Sequence, residues 1–277
     1  MGRKVEVLLE GGLGNQLFGW ATGYSLSKRT NAKLILNVSQ LGQRGYQLGE
    51  FSLEDFKICE KKHPIKSSRR LAKLNPFVHC EKSLNFDANL FDTHYSKFLI
   101  GYFQSWKYFF LHMEEIKDLL QTLVSPSEKY KHYEQIFKNQ NLIVAHVRRG
   151  DYKDNEKYHG LVKSDYYTAA LAKIRQNQQK ATKLVVMSDE PELAKDVVPG
   201  ADVYLGPEDI PSAVETLLLM SKAKYLIGAN SSFSLWAGML MNNEDAVRIF
   251  PDPWFKLNVI NSPDLVPDGY LRIAAEL

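Results

Sequence analysis

Val5, Val7 and Leu9 recur at every second position near the start of the chain, a period that predicts a strand over Val5–Leu9. Gly11-Gly12-Leu13-Gly14-Asn15 follows and is too rich in glycine for a regular element. Leu17, Trp20, Ala21 and Tyr24 then fall at helical spacing, and Lys33–Val38 reads as a second strand, so the opening is a β-loop-α-β unit. Residues 40–95 show no clear period and are broken by His63-Pro64 and Asn75-Pro76. Lys97–Phe103 predicts a strand and Tyr108–Leu123 a helix, after which Ser125-Pro126-Ser127 interrupts the pattern and marks a candidate domain boundary.

From residue 141 the alternation is regular. Strands are predicted at Asn141–Val147, Lys183–Met187, Asp202–Leu205, Tyr225–Gly228 and Val247–Phe250. Between them lie helical patterns at Ser164–Gln176, Pro191–Val198, Ser212–Lys222 and Phe233–Met241. Strands alternating with helices of this length imply right-handed crossovers and a parallel sheet, so the second half reads as a Rossmann-like domain. Ligands of open parallel sheets bind at the carboxyl ends of the strands, and that is where chemistry is expected.

Length and composition narrow the picture. At 277 residues the chain is comfortable for two domains, taken here as 1–130 and 131–277, and its 44% hydrophobic and 24% charged content is that of a globular protein. A net charge of +3 does not argue for nucleic acid, and the one basic run, Lys61-Lys62 with Lys66, Arg69 and Arg70, reads as a solvated loop. The two cysteines, Cys59 and Cys80, form neither a disulfide framework nor a metal-ligand spacing. No stretch approaches eighteen apolar residues, so a cytoplasmic location is expected, with at most peripheral contact at the inner membrane face.

Three polar clusters stand at predicted strand ends. In His146-Val147-Arg148-Arg149-Gly150-Asp151, alternation would place His146 and Arg148 on one face and Arg149 on the other. A planar guanidinium can hold a phosphate by two parallel hydrogen bonds, and two adjacent arginines leaving a buried strand are costly without an anionic partner, which favours this reading over a plain Arg149–Asp151 pair. Ser188-Asp189-Glu190 precedes Pro191, where Ser188 or Asp189 could cap a helix or a carboxylate could accept the two N–H donors of a guanine edge. Asn230-Ser231-Ser232-Phe233-Ser234 precedes another helix, whose free N–H groups make a phosphate site that capping by Ser231 or Ser232 does not exclude. The loop at Gly12 and Gly14 is a fourth anion-cradling candidate, but it ends in no Walker Lys-Ser/Thr and does not match the dinucleotide fingerprint. The sequence has no Asp-x-Asp pair and no His/Cys grouping at metal spacing, so no metal cofactor is expected.

Together these blocks resemble the α-1,2-fucosyltransferases of glycosyltransferase family 11. The resemblance rests on Gly11-Gly12-Leu13-Gly14-Asn15-Gln16-Leu17-Phe18, His146-Val147-Arg148-Arg149-Gly150-Asp151-Tyr152, Ser188-Asp189-Glu190 and Asn230-Ser231-Ser232-Phe233-Ser234. Gly101-Tyr102-Phe103-Gln104-Ser105 and the Pro251–Trp254 segment extend it. Leu235-Trp236-Ala237 and Gly19-Trp20 depart from the usual family pattern, in helices that pack. The resemblance implies an α/β fold of GT-B type, two Rossmann-like domains facing a cleft, the N-terminal one on the acceptor side and the C-terminal one binding GDP-fucose. It implies inversion at the anomeric carbon, no metal, and transfer to O2 of a terminal β-galactoside on an oligosaccharide or glycolipid.

By the same resemblance Arg148 would hold the β-phosphate with His146 beside it, Asp189 would read guanine, and Ser232 and Phe233 would contact the diphosphate. Gly12, Gly14 and Asn15 would lie near the donor. Asp151 is the candidate base, ahead of Glu10 and Asp154. An α-1,6 transferase, which shares the His-x-Arg chemistry, and a non-catalytic nucleotide-sugar-binding module are the competing readings. The acceptor subsite is expected between residues 40 and 110, where Tyr46, His94, Tyr95 and Trp106 could stack on sugar rings.

Overall fold

The computed structural model describes residues 2–42, 45–51, 53, 57–59, 75–92, 96–121, 125–138, 141–150, 156–176 and 182–277. The chain forms two compact units, Met1–Val124 with Ser262–Leu265, and Ser125–Asn261 with Val266–Leu277.

In the first unit β1 (Lys4–Leu8), β2 (Lys33–Asn37), β3 (Lys57–Cys59), β4 (Val78–Cys80) and β5 (Lys97–Ile100) make a parallel sheet in the order β3-β2-β1-β5-β4. Helix α1 (Leu13–Thr30) lies on it and is buried almost all round from Leu13 to Ser27, the mark of a central helix. Its glycines permit the close approach: a Cβ on Gly23 would stand 2.3 Å from Val7 Cγ2 and 2.9 Å from Leu34 Cδ1.

The glycine-rich block corrects a sequence expectation. Gly14 and Asn15 are not in a loop but in the first turn of α1, which starts at Leu13 behind Gly12 as N-cap. Only Gly11 needs the freedom of glycine, at φ 75°, where a Cβ would meet Asn15 Nδ2 at 2.6 Å. Two further expectations fail nearby. The strand from Lys97 stops at Ile100, because Gly101 at φ 152° and Phe103 at φ 51° leave extended geometry. The helix expected at Tyr108–Leu123 is broken into 3₁₀ turns at Trp106–Tyr108 and Phe110–His112, followed by α2 (Met113–Leu120).

The second unit opens with α3 (Glu128–Lys138), which the sequence reading missed, and Glu215 anchors its entry by accepting bonds from Ser127 N–H (2.6 Å) and Oγ–H (2.8 Å). The strands are β6 (Leu142–Val147), β7 (Lys183–Ser188), β8 (Val203–Leu205), β9 (Tyr225–Ile227), β10 (Val247–Asp252) and β11 (Leu271–Ala274). Around them run α4 (Glu156–His159), α5 (Ser164–Gln176), α6 (Pro191–Val197), α7 (Ala213–Met220) and α8 (Ser232–Leu240). All six strands are parallel, in the order β11-β10-β9-β6-β7-β8. Counted from β6 this is the doubly wound order 3-2-1-4-5-6, and the chain reverses direction across the sheet between β6 and β9. That reversal opens a crevice at the carboxyl ends of those two strands.

The core beneath this crevice is dense. Gly228 follows β9, and a Cβ there would stand 2.1 Å from Cε1 of the buried Phe250. Gly228→Ala is therefore expected to destabilise the protein by about 1–3 kcal/mol, read as a lowered midpoint in urea. An unchanged midpoint would show that β10 can shift to make room.

Candidate donor site

The register of β6 on β7 pairs His146 with Met187 and Val147 with Ser188, so the residues just past both strand ends emerge side by side. Arg148 and Asp189 meet there, Nη1 to Oδ2 at 3.0 Å, with 22% and 20% of their side chains exposed. Asp189 also accepts the backbone N–H of Arg149 on Oδ1 and that of Gly150 on Oδ2, each at 3.0 Å. One carboxylate thus fixes the turn that carries both arginines. The Arg149 side chain is directed elsewhere, donating from Nη2 to the Val162 carbonyl at 2.7 Å. The expected assignment of Arg148 and Arg149 to faces by alternation does not apply, because β6 ends at Val147 and both arginines belong to the turn.

His146 lies next to last in β6, a strand buried on both faces, and is 3% exposed. Its Nδ1 has no hydrogen-bond partner among the described residues, and its ring lies 5.7 Å from that of Phe233 at the start of α8. Burial, and then the Arg148 charge, push its pKa down to about 4 against a smaller upward pull from Asp189. The imidazole is therefore neutral near pH 7. A histidine whose folded pKa lies below its unfolded value near 6.5 costs nothing at neutral pH. Stability is then lost as pH falls from about 6.5 to about 4 and levels off below that, by on the order of 3 kcal/mol in all. His146→Gln is expected to remove this slope from a pH series of unfolding free energies, and a slope that persists would place the titrating group elsewhere.

At the end of β9, Ser231 is the N-cap of α8, its Oγ accepting from Phe233 N–H at 3.3 Å, so the capping alternative holds and the helix N-terminus faces the crevice end of the sheet. Asn230 is buried, and its Nδ2 donates to the carbonyls of His159 (2.9 Å) and Trp254 (3.2 Å), which ties three loops together. At β7 neither Ser188 nor Asp189 caps α6. The N-cap is Glu190, without a side-chain cap bond, while Ser188 Oγ accepts from Glu190 N–H at 3.0 Å.

His146, Arg148, Arg149, Ser188, Asp189, Asn230, Ser231, Ser232 and Phe233 thus all lie at the carboxyl ends of β6, β7 and β9. Gly12, Gly14 and Asn15 belong to the first unit. Asp151 and Asp154 lie outside the described residues, as do His94, Tyr95 and the basic run from Lys61 to Arg70. Among the described residues no three His, Cys, Asp or Glu side chains are grouped to hold a metal ion. Two tyrosines that the sequence reading passed over support the crevice: Tyr167 Oη donates to the His146 carbonyl at 2.9 Å, and Tyr166 Oη to the carbonyls of Gly228 (2.7 Å) and Ile249 (3.1 Å). On the apolar face of α5 they read only as core, so spacing held no sign of this role.

Two parallel α/β units, the second with an anion-suited crevice at its switch point, define the GT-B class of glycosyltransferase fold. The chain belongs to glycosyl transferase family 11, whose model matches residues 79–259. It is 30% identical to an alpha-1,2-colitosyltransferase of Escherichia coli over 97% of this chain and 98% of that protein. It is 28% identical to the O-antigen biosynthesis glycosyltransferase WbnK of Escherichia coli, over 96% of this chain and 99% of the relative. Among solved structures, NodZ alpha-1,6-fucosyltransferase soaked with GDP-fucose is similar with a TM-score of 0.53 and 14% identity, covering 87% of this chain and 93% of that one.

Proposed function

We propose that this glycosyltransferase moves L-fucose from GDP-fucose to O2 of a terminal β-galactoside, with inversion and without a metal ion. The observation that carries the reading is the Arg148–Asp189 pair beside the buried His146, whose Nδ1 has no partner among the described residues, at the switch point of the second unit. The acceptor hydroxyl attacks C1 of fucose, the bond from C1 to the diphosphate oxygen breaks, and GDP leaves with the electron pair. Arg148 and the N-terminus of α8 at Ser231–Ser232 meet the charge that builds on the diphosphate, in place of a cation. Phe233 and His146 wall the nucleotide pocket, Asp189 faces the guanine edge, and Asp151 takes the proton of the acceptor hydroxyl. The second unit is then the donor-binding domain and the first the acceptor-side domain. No helix among the described residues is long and apolar enough to cross a membrane.

The likeness to a colitosyltransferase favours a second donor reading, since colitose is fucose without its 3-hydroxyl. Incubation with GDP-fucose and lactose, with and without EDTA, read by mass spectrometry and product NMR, tests the proposal. The expected product carries one deoxyhexose on O2 of galactose and forms equally well with EDTA. A product linked at O6 would overturn the linkage, and EDTA inhibition the metal independence. GDP-fucose that binds without being consumed, while GDP-colitose is, would replace the donor.

A further inference from the structure

We propose that a cavity wholly within the first unit binds one neutral pyranose ring of the acceptor, a site that rests on the acceptor-glycan reading above. The cavity, about 270 Å³, lies where the connections leaving β4 and β5 converge, at the carboxyl ends of two neighbouring parallel strands. His79, Glu81, Asn85, Phe86, Asp87 and Tyr108 line it, among others. Its volume falls just under the roughly 300–1,000 Å³ of ordinary ligand pockets, which suits one sugar ring and not a nucleotide.

The lining combines ring faces with hydrogen-bonding groups. Of the lining rings, Phe86 and Tyr108 pack with centroids 4.9 Å apart, Tyr108 backed edge-on at 5.7 Å by the buried Phe103, and these two offer an apolar edge to the C–H face of a pyranose. Glu81 and Asp87 can accept hydrogen bonds from hydroxyls, and against the single cation of the lining, Lys82, they leave it net acidic, which favours a neutral polyol over a phosphate. Burial lowers the pKa of His79 despite the pull of Asp87 3.7 Å away, leaving a neutral ring able to accept from one sugar hydroxyl.

The frame around these groups is already held. Asp87 Oδ1 accepts from Asn89 N–H (3.0 Å) and Nδ2–H (2.8 Å), and the Asp87 N–H donates to Tyr108 Oη (2.9 Å). Glu81 Oε2 accepts from Tyr102 N–H at 2.8 Å, and Phe86 N–H donates to Asp264 at 2.9 Å. The side-chain amide of Asn85 and the Lys82 ammonium, by contrast, are exposed and make no side-chain hydrogen bond among the described residues, which leaves them open to a ligand. Tyr46 and Trp106, expected from the sequence to stack on sugars, are not part of this lining.

Saturation-transfer NMR with methyl β-D-galactoside on the full chain tests the site without relying on turnover. Transfer from aromatic protons to the galactose ring is expected in the wild type. Asn85→Ala, at an exposed position, should raise the galactoside Kd about tenfold, the loss of one or two hydrogen bonds, with GDP affinity and thermal midpoint unchanged. His79→Gln provides a second variant should the first prove unstable. Absence of transfer in the wild type, or an unchanged Kd in a folded variant, overturns the site. Galactoside binding that Asn85→Ala weakens, in a protein that leaves GDP-fucose intact, upholds the site and removes only the donor reading. Fucose transfer with an unchanged acceptor KM in Asn85→Ala does the reverse.

Discussion

Arg148→Ala is expected to lower kcat for fucose transfer by roughly 100- to 1000-fold, the usual cost of removing one preorganised donor from a developing anion. The guanidinium is placed by two constraints that exist before any ligand arrives. The turn after β6 is pinned to Asp189 through the N–H groups of Arg149 and Gly150, and Nη1 of Arg148 itself rests on Oδ2 of that carboxylate at 3.0 Å. A group held in this way needs little reorganisation when charge appears on the diphosphate. Loss of the side chain leaves Asp189 with both backbone partners, so the thermal midpoint should move little while turnover collapses. Arg148→Lys keeps the charge but not the planar fork, and it should recover only part of the rate. Steady-state kinetics with saturating GDP-fucose decide the matter, and a near-normal kcat in Arg148→Ala would refute the assignment.

The second unit was legible in the sequence because its strands are buried on both faces and separated by helices of ordinary length. Leu142–Ala145 and Leu184–Met187 read as continuous apolar runs for that reason. The 3-2-1-4-5-6 order was not legible, since pairing between β6 and β9 joins residues 82 positions apart, such as Ile143 and Tyr225, that no local pattern connects. Failures elsewhere have local causes. Gly14 sits in a helix because packing against β1 and β2 outweighs its propensity, which costs only about 1 kcal/mol. The turns after β5 depend on Phe103 adopting a positive φ, a conformation that no sequence rule assigns to phenylalanine. α3 escaped notice because only Tyr130 and Phe137 of its eleven residues are buried. In the site, the types of the polar residues were legible but their partners were not: no local spacing pointed from Arg148 to Asp189, forty-one positions away in sequence but adjacent by register.

Asp189 is where removal of a single side chain should disturb both fold and turnover. It holds two backbone N–H groups and one guanidinium at 3.0 Å each, and Gly150 passes so close that a Cβ there would lie 2.6 Å from Oδ2. Asp189→Ala leaves those N–H donors without their partner and releases Arg148. It is expected to cost about 1–3 kcal/mol of stability and about 100-fold in kcat. Asp189→Asn separates charge from shape. The amide oxygen, turned to the Oδ2 position, can still accept from the Gly150 N–H and the guanidinium, but the NH₂ group then faces the Arg149 N–H, donor against donor. Asn should therefore rescue only part of what Ala loses, whereas a side chain that merely filled space would be rescued fully. A carboxylate offers about four lone-pair sites, and three are engaged here, so a contact to the guanine edge is compatible with the turn-holding role. The two roles differ in readout. Loss of the turn lowers the thermal midpoint in the absence of nucleotide and reduces kcat, while loss of guanine reading raises the KM for GDP-fucose and narrows the preference for GDP over other nucleoside diphosphates. An Asp189→Asn protein with wild-type midpoint and kcat would mean that the carboxylate charge does not hold the turn, and the positioning of Arg148 would then need another source.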